Sequence, residues 1–468
     1  MKYKPTIGLE IHVELKTNSK MFCSCKNDLE ETKPNINVCP VCMGHPGTLP
    51  VINEEAINRV IKVGLALDCG INQSTYFERK NYFYPDLPKG YQISQYAFPL
   101  CKNGNLYING SKIRIERIHL EEDTAKLIHD GKDTLVDFNR AGVPLMELVT
   151  EPDFDNAVDA QKFAQELQLI LRYMDISNAD MEKGQMRVEA NISVSSGRKL
   201  GTKIEVKNLN SFRVVGKAIE YEIKRQSEAL DKGERVVQET RGWDGNKTFS
   251  QRIKEQAHDY RYFPEPDLPP LKISDELVKD LRLEVPELPD QKRVRFKDQY
   301  DIQQQDIETF ISNRDLSEFY EKVMSELKEW SGKDLPQITA NYITSDLLGL
   351  IEDRFSEDEL KITPENFAEF INILNKGEIT SKIAKTVLLE MFNTGKDPSD
   401  IIREQGLSRM DDVEDVVKKI IDNNPKAIED YSKGKDNALQ FLIGQAMAQT
   451  KGRANPDNLR KLFTKLIK

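Results

Sequence analysis

The sequence contains no apolar run long enough to cross a membrane. None of its hydrophobic stretches approaches the roughly 18 residues that a transmembrane helix requires. The N-terminal residues M-K-Y-K-P-T also lack the apolar core of a secretory signal peptide. We therefore expect a cytoplasmic protein that has no membrane partner.

Common nucleotide-binding and nucleophile motifs are missing as well. The sequence has neither a G-x-x-x-x-G-K-[ST] phosphate loop nor a G-x-G-x-x-G fingerprint, so neither of these modes of nucleotide binding is predicted. Only five histidines are present, and none lies near a serine or cysteine motif suited to a catalytic triad. The segment Ser195-Ser196-Gly197 lacks the glycine-rich flanks of an amidase serine and is interpreted as a turn.

Positive charge is scarce in the chain as a whole. The net charge of −10 argues against a protein that coats nucleic acid, because phosphate binding requires a basic face. Residues 431–468 depart from this average, since eight Lys or Arg residues stand against two Asp residues and give a net charge of +6. A solvated surface explains such a tail about as often as RNA binding does.

The 468 residues, 38% hydrophobic and 31% charged, suit a soluble globular protein of two or three domains. Short alternating strands mix with amphipathic helices up to a proline-rich stretch, which predicts a boundary near Pro289. Beyond it the pattern is helical. We predict an α+β fold with a mixed-sheet domain over 1–290, an all-α domain over 291–405 and a small helical tail over 406–468.

The pattern predicts individual elements in each part. Strands are expected at 6–15, 112–119, 134–138, 186–193 and 202–206. Helices are expected at 54–67, 157–174, 212–232, 415–422, 438–449 and 458–468. Thr363 before Pro364 and Thr380 are predicted helix N-caps.

The strand T-I-G-L-E-I-H-V-E-L at 6–15 alternates strictly between apolar and polar residues. Glu10, His12 and Glu14 therefore share one face. Two carboxylates that flank an imidazole are spaced to converge on a cation. Taken alone, such a strand is more often a half-exposed edge strand with a wet polar face.

Two further acidic segments favour the cation site. Residues 117–123, R-I-H-L-E-E-D, are typical of another strand end, and residues 186–210 supply more acids; together they contribute His119, Glu121, Glu122, Asp123, Glu189 and Glu205. Carboxylates on three strands plus a histidine favour Mg²⁺, which prefers oxygen ligands and keeps substrate phosphates as partners. The alternative is a set of unrelated surface acids, because Asp and Glu make up 77 of the 468 residues.

Four cysteines form two close pairs near the start of the chain, Cys23-x-Cys25 and Cys39-x-x-Cys42. In a cytosolic protein such pairs are more often metal thiolates than disulfides. Two pairs on separate knuckles suit tetrahedral Zn²⁺, and four thiolates leave no open position for a catalytic water. We predict a structural zinc site, with loose thiols as the alternative.

Residues 79–96, R-K-N-Y-F-Y-P-D-L-P-K-G-Y-Q-I-S-Q-Y, combine adjacent cations, five aromatic rings, two prolines and a glycine. The prolines and glycine fix a loop, the rings offer stacking surfaces and the cations can meet phosphate. This composition suits binding of a nucleotide or an RNA end. An aromatic-rich loop packed on the sheet explains it equally well.

Several of these segments together resemble a known family. The matching motifs are I-G-L-E-I-H-V-E-L-K-T at 7–17, R-K-N-Y-F-Y-P-D at 79–86, H-L-E-E-D at 119–123, E-V-K-N-L-N-S-F at 205–212, D-Y-R-Y-F-P-E-P-D at 259–267, I-T-S-K-I-A-K at 379–385 and Q-A-M-A-Q-T-K-G-R-A-N-P at 445–456. They resemble the B subunits of the tRNA-dependent aspartyl/glutamyl amidotransferases. The resemblance covers nearly the whole chain.

The resemblance implies a fold and an activity. The fold would be a cradle-type kinase domain, a helical domain and a helical tail that grips tRNA. The activity would be that of an ATP-dependent C–N ligase, which phosphorylates the side-chain carboxylate of Glu-tRNA(Gln) or Asp-tRNA(Asn). Ammonia would then displace the phosphate; it would come from glutamine hydrolysed by a separate amidase (glutaminase) subunit, in a heterotrimer with a small third subunit.

The resemblance also implies roles for individual residues. Glu10, His12 and Glu122 would be catalytic, and the Mg²⁺ ligands would be Glu10, His12, Glu121, Glu122, Glu189 and Glu205. Glu147 is a weaker candidate. The pocket for ATP or substrate would be lined by Lys80, Asn81, Tyr82 and Tyr84. The implied cofactors are ATP, Mg²⁺ and structural Zn²⁺.

Two other functions remain open from the residues. One is a zinc-stabilised tRNA-binding scaffold with no chemistry of its own, in which the acids only solvate a sheet. The other is a free-standing ATP-dependent amide ligase that acts on a small molecule and has no need of a basic tail. Metal-dependent ATP turnover on charged tRNA separates both from the amidotransferase.

Overall fold

The computed structural model describes residues 2–28, 30–197, 199–253, 257–331, 335–351, 355–410 and 412–467. The chain divides into two compact units, of which the first ends at Pro289 and the second begins at Asp290. The first unit contains the strands and the second is helical. The predicted α+β class is confirmed in this respect.

The strands are numbered along the chain. They are β1 (Lys4–Glu14), β2 (Gly70–Ile71), β3 (Ser74–Thr75), β4 (Glu78–Asn81), β5 (Tyr91–Ser94), β6 (Cys101–Ile108), β7 (Ser111–Glu122), β8 (Lys126–Asp130), β9 (Asp133–Asp137), β10 (Pro144–Thr150), β11 (Met186–Ser195), β12 (Ile204–Leu209), β13 (Glu239–Trp243), β14 (Thr248–Ile253), β15 (Phe263–Pro264) and β16 (Leu271–Lys272). The helices of the first unit are α1 (Glu54–Ala66), α2 (Ala157–Tyr173), α3 (Phe212–Asp231) and α4 (Asp275–Leu283), with a 3₁₀ turn at Ala257–Tyr260.

One large mixed sheet organises the first unit. Its strand order is β14-β13-β12-β11-β1-β10-β7-β6-β2, and β12 and β13 form its parallel pair. The strand β1 lies at the centre because its apolar residues suit a fully covered face: Ile7, Leu9, Ile11 and Val13 are buried in the core. The other face of β1 carries the polar residues, as the alternation predicts.

Helices cover the apolar face of this sheet. Helix α2 packs against β1 and β6, and α3 packs against β11 and β12. Each begins at a capping residue, since the side chain of Asn156 accepts from the Asp159 N–H and that of Ser211 from the Val214 N–H. The predicted helices at 54–67, 157–174 and 212–232 and the five predicted strands are confirmed, with ends shifted by a few residues.

Smaller sheets surround the large one. The strands β4, β5 and β15 form a three-stranded sheet, β3 pairs with β16, and β8 and β9 form a hairpin. The pairing of β15 with β4 places residues from the 260s directly on the segment that begins at Arg79. No local sequence pattern predicts this contact.

The second unit consists of helices. They are α5 (Pro289–Tyr300), α6 (Gln304–Ser312), α7 (Arg314–Ser331), α8 (Pro336–Asn341), α9 (Pro364–Lys376), α10 (Ser381–Thr394), α11 (Pro398–Gln405), α12 (Glu414–Asn423), α13 (Pro425–Ser432), α14 (Asp436–Gln449) and α15 (Pro456–Leu466), with a π-helical turn at Tyr342–Leu347 and 3₁₀ turns at Leu348–Leu350 and Glu357–Glu359. Thr363 and Thr380 cap α9 and α10 as predicted.

The last four helices share a hydrophobic cluster of their own. Val417, Leu442, Leu459 and Phe463 are buried in it. The predicted helices at 415–422, 438–449 and 458–468 are confirmed as α12, α14 and α15, whereas α13 was not predicted. The proposed division of this unit between residues 405 and 406 stays a prediction. Among the described residues, no helix is both long and apolar enough to span a bilayer.

Candidate functional site

The polar face of the large sheet brings together acids and histidines from three neighbouring strands. In the strand register, His12 on β1 lies opposite Glu147 on β10, and Glu147 lies opposite His119 on β7. The Nε2 atoms of His12 and His119 are 3.4 Å and 3.3 Å from Glu147 Oε2. Glu121 lies two residues after His119 and is 3.6 Å from His12 through its Oε1.

A second group of acids adjoins the first. Glu10 on β1 lies opposite Glu189 on β11, and Asn191 on β11 lies opposite Glu205 on β12. The side-chain oxygens of Glu10, Glu189 and Glu205 lie within 4.8 Å of one another. We call these three residues the acidic trio. The sheet therefore delivers carboxylates from neighbouring strands to one place, as the three separated acidic segments predict.

The donor atoms fit a hard divalent cation. Three groups of side chains each place three potential ligand atoms within 4.8 Å of one another. They are Glu10 with His12 and Glu147, His119 with Glu121 and Glu147, and the acidic trio. His119 Nδ1 is buried and has no hydrogen-bond partner among the described residues, and Glu121 is 2% exposed. Carboxylate oxygens of this kind suit Mg²⁺ or Mn²⁺, and the two histidines add imidazole nitrogens, which are more usual ligands of transition metals.

The crowding of charges shifts the pKa values of the group. Burial, together with the neighbouring Glu147 and Glu189, raises the pKa of Glu10 to about 7. Burial acts to lower the pKa of His12, but the hydrogen bond and charge of Glu147 and the charge of Glu121 outweigh it and raise that pKa to about 9. The carboxylates around His12 therefore favour its protonated form. A metal cation bound at the same place would supply the positive charge in place of that proton.

A cavity of about 350 Å³ opens in front of these side chains. Its lining includes Glu10, His119, Glu147 and Glu205, and also Lys80, Tyr96, Tyr260 and Tyr262, which we call its cationic and aromatic wall. The rings of Tyr96 and Tyr262 stack with centroids 4.6 Å apart and planes inclined by 13°. The cavity therefore combines acids, cations and flat aromatic surfaces.

Lys80 is the predicted pocket residue that faces this cavity. Its Nζ lies 5.2 Å from the ring centroid of Tyr260. Burial lowers the pKa of its ammonium, but Glu121 and Glu147 more than offset this and raise the pKa well above its ordinary value. Lys80 thus remains a cation and can meet an anionic ligand beside the acids.

The other predicted pocket residues have different surroundings. Asn81 Nδ2 donates to the carbonyl of Arg261 at 2.9 Å, and Tyr82 packs edge-on against Tyr260 at 6.0 Å between ring centroids. Tyr84 is 58% exposed and is not part of the cavity wall. Asn81 and Tyr82 therefore support the wall that Tyr260 and Tyr262 form, whereas the structure gives Tyr84 no such contact.

Residues 259–267 contribute Tyr260 and Tyr262 to that wall and are fixed to β4. We call this segment the strap. The Arg79 guanidinium donates to both carboxylate oxygens of the fully buried Glu265, at 2.7 and 2.8 Å, and to Asp267 at 3.2 Å. It also lies 4.2 Å from the ring centroid of Tyr91. Because alternate residues of a strand face opposite sides, Arg79 and Asn81 hold the strap while Lys80 faces the cavity.

Glu122 is not brought to the candidate cation site, although the sequence analysis made it both a catalytic residue and a ligand. It belongs to none of the potential ligand groups found among the described residues. Its carboxylate pairs with the Lys89 ammonium and accepts from the Ile93 N–H at 2.9 Å. The physical reason is the strand alternation, which aligns Glu121 with His119 and turns Glu122 to the opposite face.

Glu14 and Asp123 also lie outside the ligand groups. Asp123 pairs with Arg187 at 2.8 Å and with Arg140 at 3.5 Å. Burial and the adjacent Asp123 raise the pKa of Glu14 to about 8. These residues form a separate polar network beyond the predicted cation site.

The four cysteines converge as predicted. The sulfurs of Cys23, Cys25, Cys39 and Cys42 lie within 4.8 Å of one another. Residues on either side of the first pair form a tight hairpin, because the Lys20 N–H donates to the Cys25 carbonyl at 2.9 Å. Four converging thiols fit a tetrahedral zinc ion.

The sequence pattern did not reveal the full importance of two residues of the candidate cation site. Glu147 was only a weaker candidate, and His119 was noted in its acidic segment without a role. Glu147 lies in P-L-M-E-L-V, a strand with apolar residues on both sides of a single acid. That one buried acid was the available signal, since a lone carboxylate in an apolar strand needs a partner.

Comparison with known proteins gives concordant matches. Residues 5–279 match the family described as the GatB/GatE catalytic domain, and residues 318–467 match the GatB domain. The B subunit of the aspartyl/glutamyl-tRNA(Asn/Gln) amidotransferase of Thermotoga neapolitana is 47% identical over 100% of this chain and 99% of its own length. The proteins of the same name from Persephonella marina and Caldanaerobacter subterraneus are also 47% identical, over 100% and 99% of this chain and 100% and 99% of their own lengths.

Proposed function

Because this chain belongs to the family of aspartyl/glutamyl-tRNA(Asn/Gln) amidotransferase B subunits, we propose that it activates misacylated tRNA for amidation. The substrate would be Glu-tRNA(Gln), Asp-tRNA(Asn) or both. A side-chain carboxylate oxygen attacks the γ-phosphorus of ATP, and ADP leaves. Ammonia then attacks the resulting acyl phosphate, so that a C–N bond forms and inorganic phosphate is released.

The observation that carries this proposal is that two adjoining groups of acids and histidines form beside one cavity, which Glu10, His119, Glu147 and Glu205 of these groups line. Phosphoryl transfer requires positioning and neutralisation of charge more than covalent help. Mg²⁺ held by His119, Glu121 and Glu147, and a second ion held by the acidic trio, would supply that neutralisation. Glu121, which was expected to be a ligand together with Glu122, would keep that role without Glu122.

The chain's own residues supply the remaining interactions. Lys80 offers a positive charge in the same cavity as the acids, where it can bind a phosphate. Tyr260 and Tyr262 offer ring faces to a base or a ribose. The strap closes one side of the cavity and so limits the access of water to a reactive acyl phosphate.

The remaining proposals follow from the family. Ammonia would come from glutamine hydrolysed by a separate amidase (glutaminase) subunit, and a small third subunit would complete a cytoplasmic heterotrimer. Zn²⁺ held by the four cysteines would fix the fold of residues 19–53 without a part in the reaction. The basic tail would bind the body of the tRNA, and the first unit would be the cradle-type kinase domain.

The test is ATP turnover by the assembled heterotrimer supplied with misacylated tRNA, ammonium and Mg²⁺. We expect Glu147→Gln to abolish ATP hydrolysis and amidation, because it removes the carboxylate that both histidines contact. Glu228→Gln, at an exposed position of α3, is the matched control and should retain both. Full activity of Glu147→Gln together with normal tRNA binding would instead indicate that this chain is a tRNA-binding scaffold and that the chemistry takes place elsewhere in the heterotrimer.

A further inference from the structure

Lys207 lies among the acidic trio. Its Nζ is 2.8 Å from Glu189 Oε2 and 4.0 Å from Glu205 Oε2. The side chains of these two acids are 14% and 6% exposed. Carboxylates packed this closely repel one another, so the ammonium of Lys207 supplies part of the positive charge that holds them together.

The structure restrains the positions of the acids, whereas the lysine has a long and flexible side chain. Thr240, which is buried, donates its hydroxyl to Glu205 Oε2 at 2.6 Å. Glu10 and Glu189 are held opposite each other by the pairing of β1 with β11. Lys207 is 30% exposed and carries its charge on a flexible four-carbon stem. Lys207 also lines the cavity, so a rotation of its side chain would bring its ammonium from the acidic trio into the cavity.

From this arrangement we propose that Lys207 is a built-in substitute for the second divalent cation. A cation that enters the acidic trio displaces the Lys207 ammonium, which then turns toward the phosphates of a ligand in the cavity. Lys207 thereby sets the cation affinity of the trio and couples occupancy of that site to anion binding. This inference rests on the cation site of the proposed function and adds the residue that tunes it.

The charge argument fixes the sign of the effect. A divalent cation and an ammonium compete for the same carboxylate oxygens, so removal of the ammonium must favour the cation. A residue with only a structural or ligand-binding role would leave cation affinity unchanged or would weaken it. Arg117, another cation of the cavity wall, is directed to Glu116 and Glu147 instead of the trio.

The first experiment measures binding of Mn²⁺ to the full chain from the electron paramagnetic resonance signal of the free ion. Glu205→Gln identifies the binding class that belongs to the trio. For that class we expect Lys207→Met to tighten binding by about tenfold or more, and Lys207→Arg to change it less than about threefold. Lys224→Met, at an exposed position of α3, should match the wild type. Unchanged or weaker binding by Lys207→Met would overturn the proposal.

The second experiment needs no substitution at Lys207 and so does not depend on the folding of a variant. Amine-reactive labelling of the wild-type chain, read by mass spectrometry, should accelerate at Lys207 by about threefold or more when Mn²⁺ saturates the protein, because the ammonium leaves its carboxylate partners. Labelling of Lys224 serves as the internal control. Slower or unchanged labelling of Lys207 would contradict the displacement.

These measurements use neither ATP nor tRNA, so they separate the two proposals. A wild-type heterotrimer that fails to phosphorylate charged tRNA, although Mn²⁺ displaces Lys207, would overturn the proposed function alone. A heterotrimer that phosphorylates charged tRNA, although Mn²⁺ leaves the labelling of Lys207 unchanged, would overturn the role of Lys207 alone.

Discussion

Adjacent residues of a strand face opposite sides of the sheet and can have different roles, as Glu121 and Glu122 show. Glu121 joins His12 and the predicted ligands, whereas Glu122 neutralises the partly buried Lys89. Both acids belong to the same H-L-E-E-D motif, and a motif alone does not say which of them faces the cavity. The two-residue period of a strand identifies Glu121, because Glu121 lies on the same face as His119.

This difference predicts separable effects of two identical substitutions. Glu121→Gln should weaken Mn²⁺ binding by at least about tenfold, because it removes a candidate ligand. Glu122→Gln should leave Mn²⁺ affinity unchanged but lower the free energy of unfolding by about 3 kcal/mol, because Lys89 keeps a largely desolvated charge without its partner. Mn²⁺ titration and urea denaturation of both variants make the comparison. The opposite pattern would return Glu122 to the cation site.

At the scale of elements, the strap joins two distant parts of the sequence. Arg79 and Glu265 are 186 residues apart and form a bidentate pair that is buried on the carboxylate side. Because Tyr260 and Tyr262 belong to the same segment, this pair fixes the aromatic wall of the cavity. Arg79 is therefore a positioning residue.

We predict that Arg79→Ala raises the KM of the heterotrimer for ATP by about tenfold with a smaller effect on kcat, because the wall of the cavity loses its anchor. Arg79→Lys should recover only part of the loss, since an ammonium cannot form the bidentate pair. Arg114→Ala, which breaks an exposed pair with Asp153, is the control. An unchanged KM for Arg79→Ala would separate the strap from nucleotide binding.

The segment that carries Cys23, Cys25, Cys39 and Cys42 is a second element that can be tested separately. Native mass spectrometry and metal analysis should find one zinc ion per chain, and Cys42→Ser should lose it. Removal of the ion should lower the midpoint of thermal unfolding by about 5 °C or more, because zinc ties together residues 19–53. Cys69→Ala, outside the cluster, should retain the metal. A metal-free wild-type protein of the same stability would indicate loose thiols.

The elements that the sequence predicted are those whose signal is local. The alternation of β1 and the amphipathic pattern of α2 depend on neighbouring residues, and both were recognised. The meeting of Lys80 with Tyr260 depends on contacts between segments far apart in the chain, and no local period encodes it. For the same reason the sequence supplied the acids of the candidate site but not the identity of Glu147 as its centre.

At the scale of the whole molecule, charge is distributed unevenly between parts with different proposed tasks. The chain is acidic overall, while residues 431–468 carry a net charge of +6. Two of these cations, Lys433 and Lys435, pair with Glu429 and Asp430 of the preceding helix. The exposed residues Arg460 and Lys461 on α15 are better placed to meet a tRNA phosphate.

We predict that Arg460→Glu with Lys461→Glu weakens binding of tRNA by the heterotrimer and makes the slope of log K against log salt shallower by about two, because two phosphate contacts are lost. Fluorescence anisotropy at several salt concentrations measures both quantities. Lys297→Glu with Lys328→Glu, on the exposed sides of α5 and α7, is the charge-matched control. Equal losses in both double variants would point to net charge and not to the tail.

The most direct test of the central claim follows an oxygen atom. The wild-type heterotrimer is given Glu-tRNA(Gln) or Asp-tRNA(Asn) whose side-chain carboxylate carries ¹⁸O, with ATP, Mg²⁺ and ammonium, and the released phosphate is analysed by mass spectrometry. If the carboxylate is phosphorylated and the acyl phosphate is then cleaved by ammonia, each phosphate released with product carries one ¹⁸O atom from the amino acid. Amidated tRNA accompanied by unlabelled phosphate would contradict phosphorylation of the carboxylate and with it the proposed chemistry of this site.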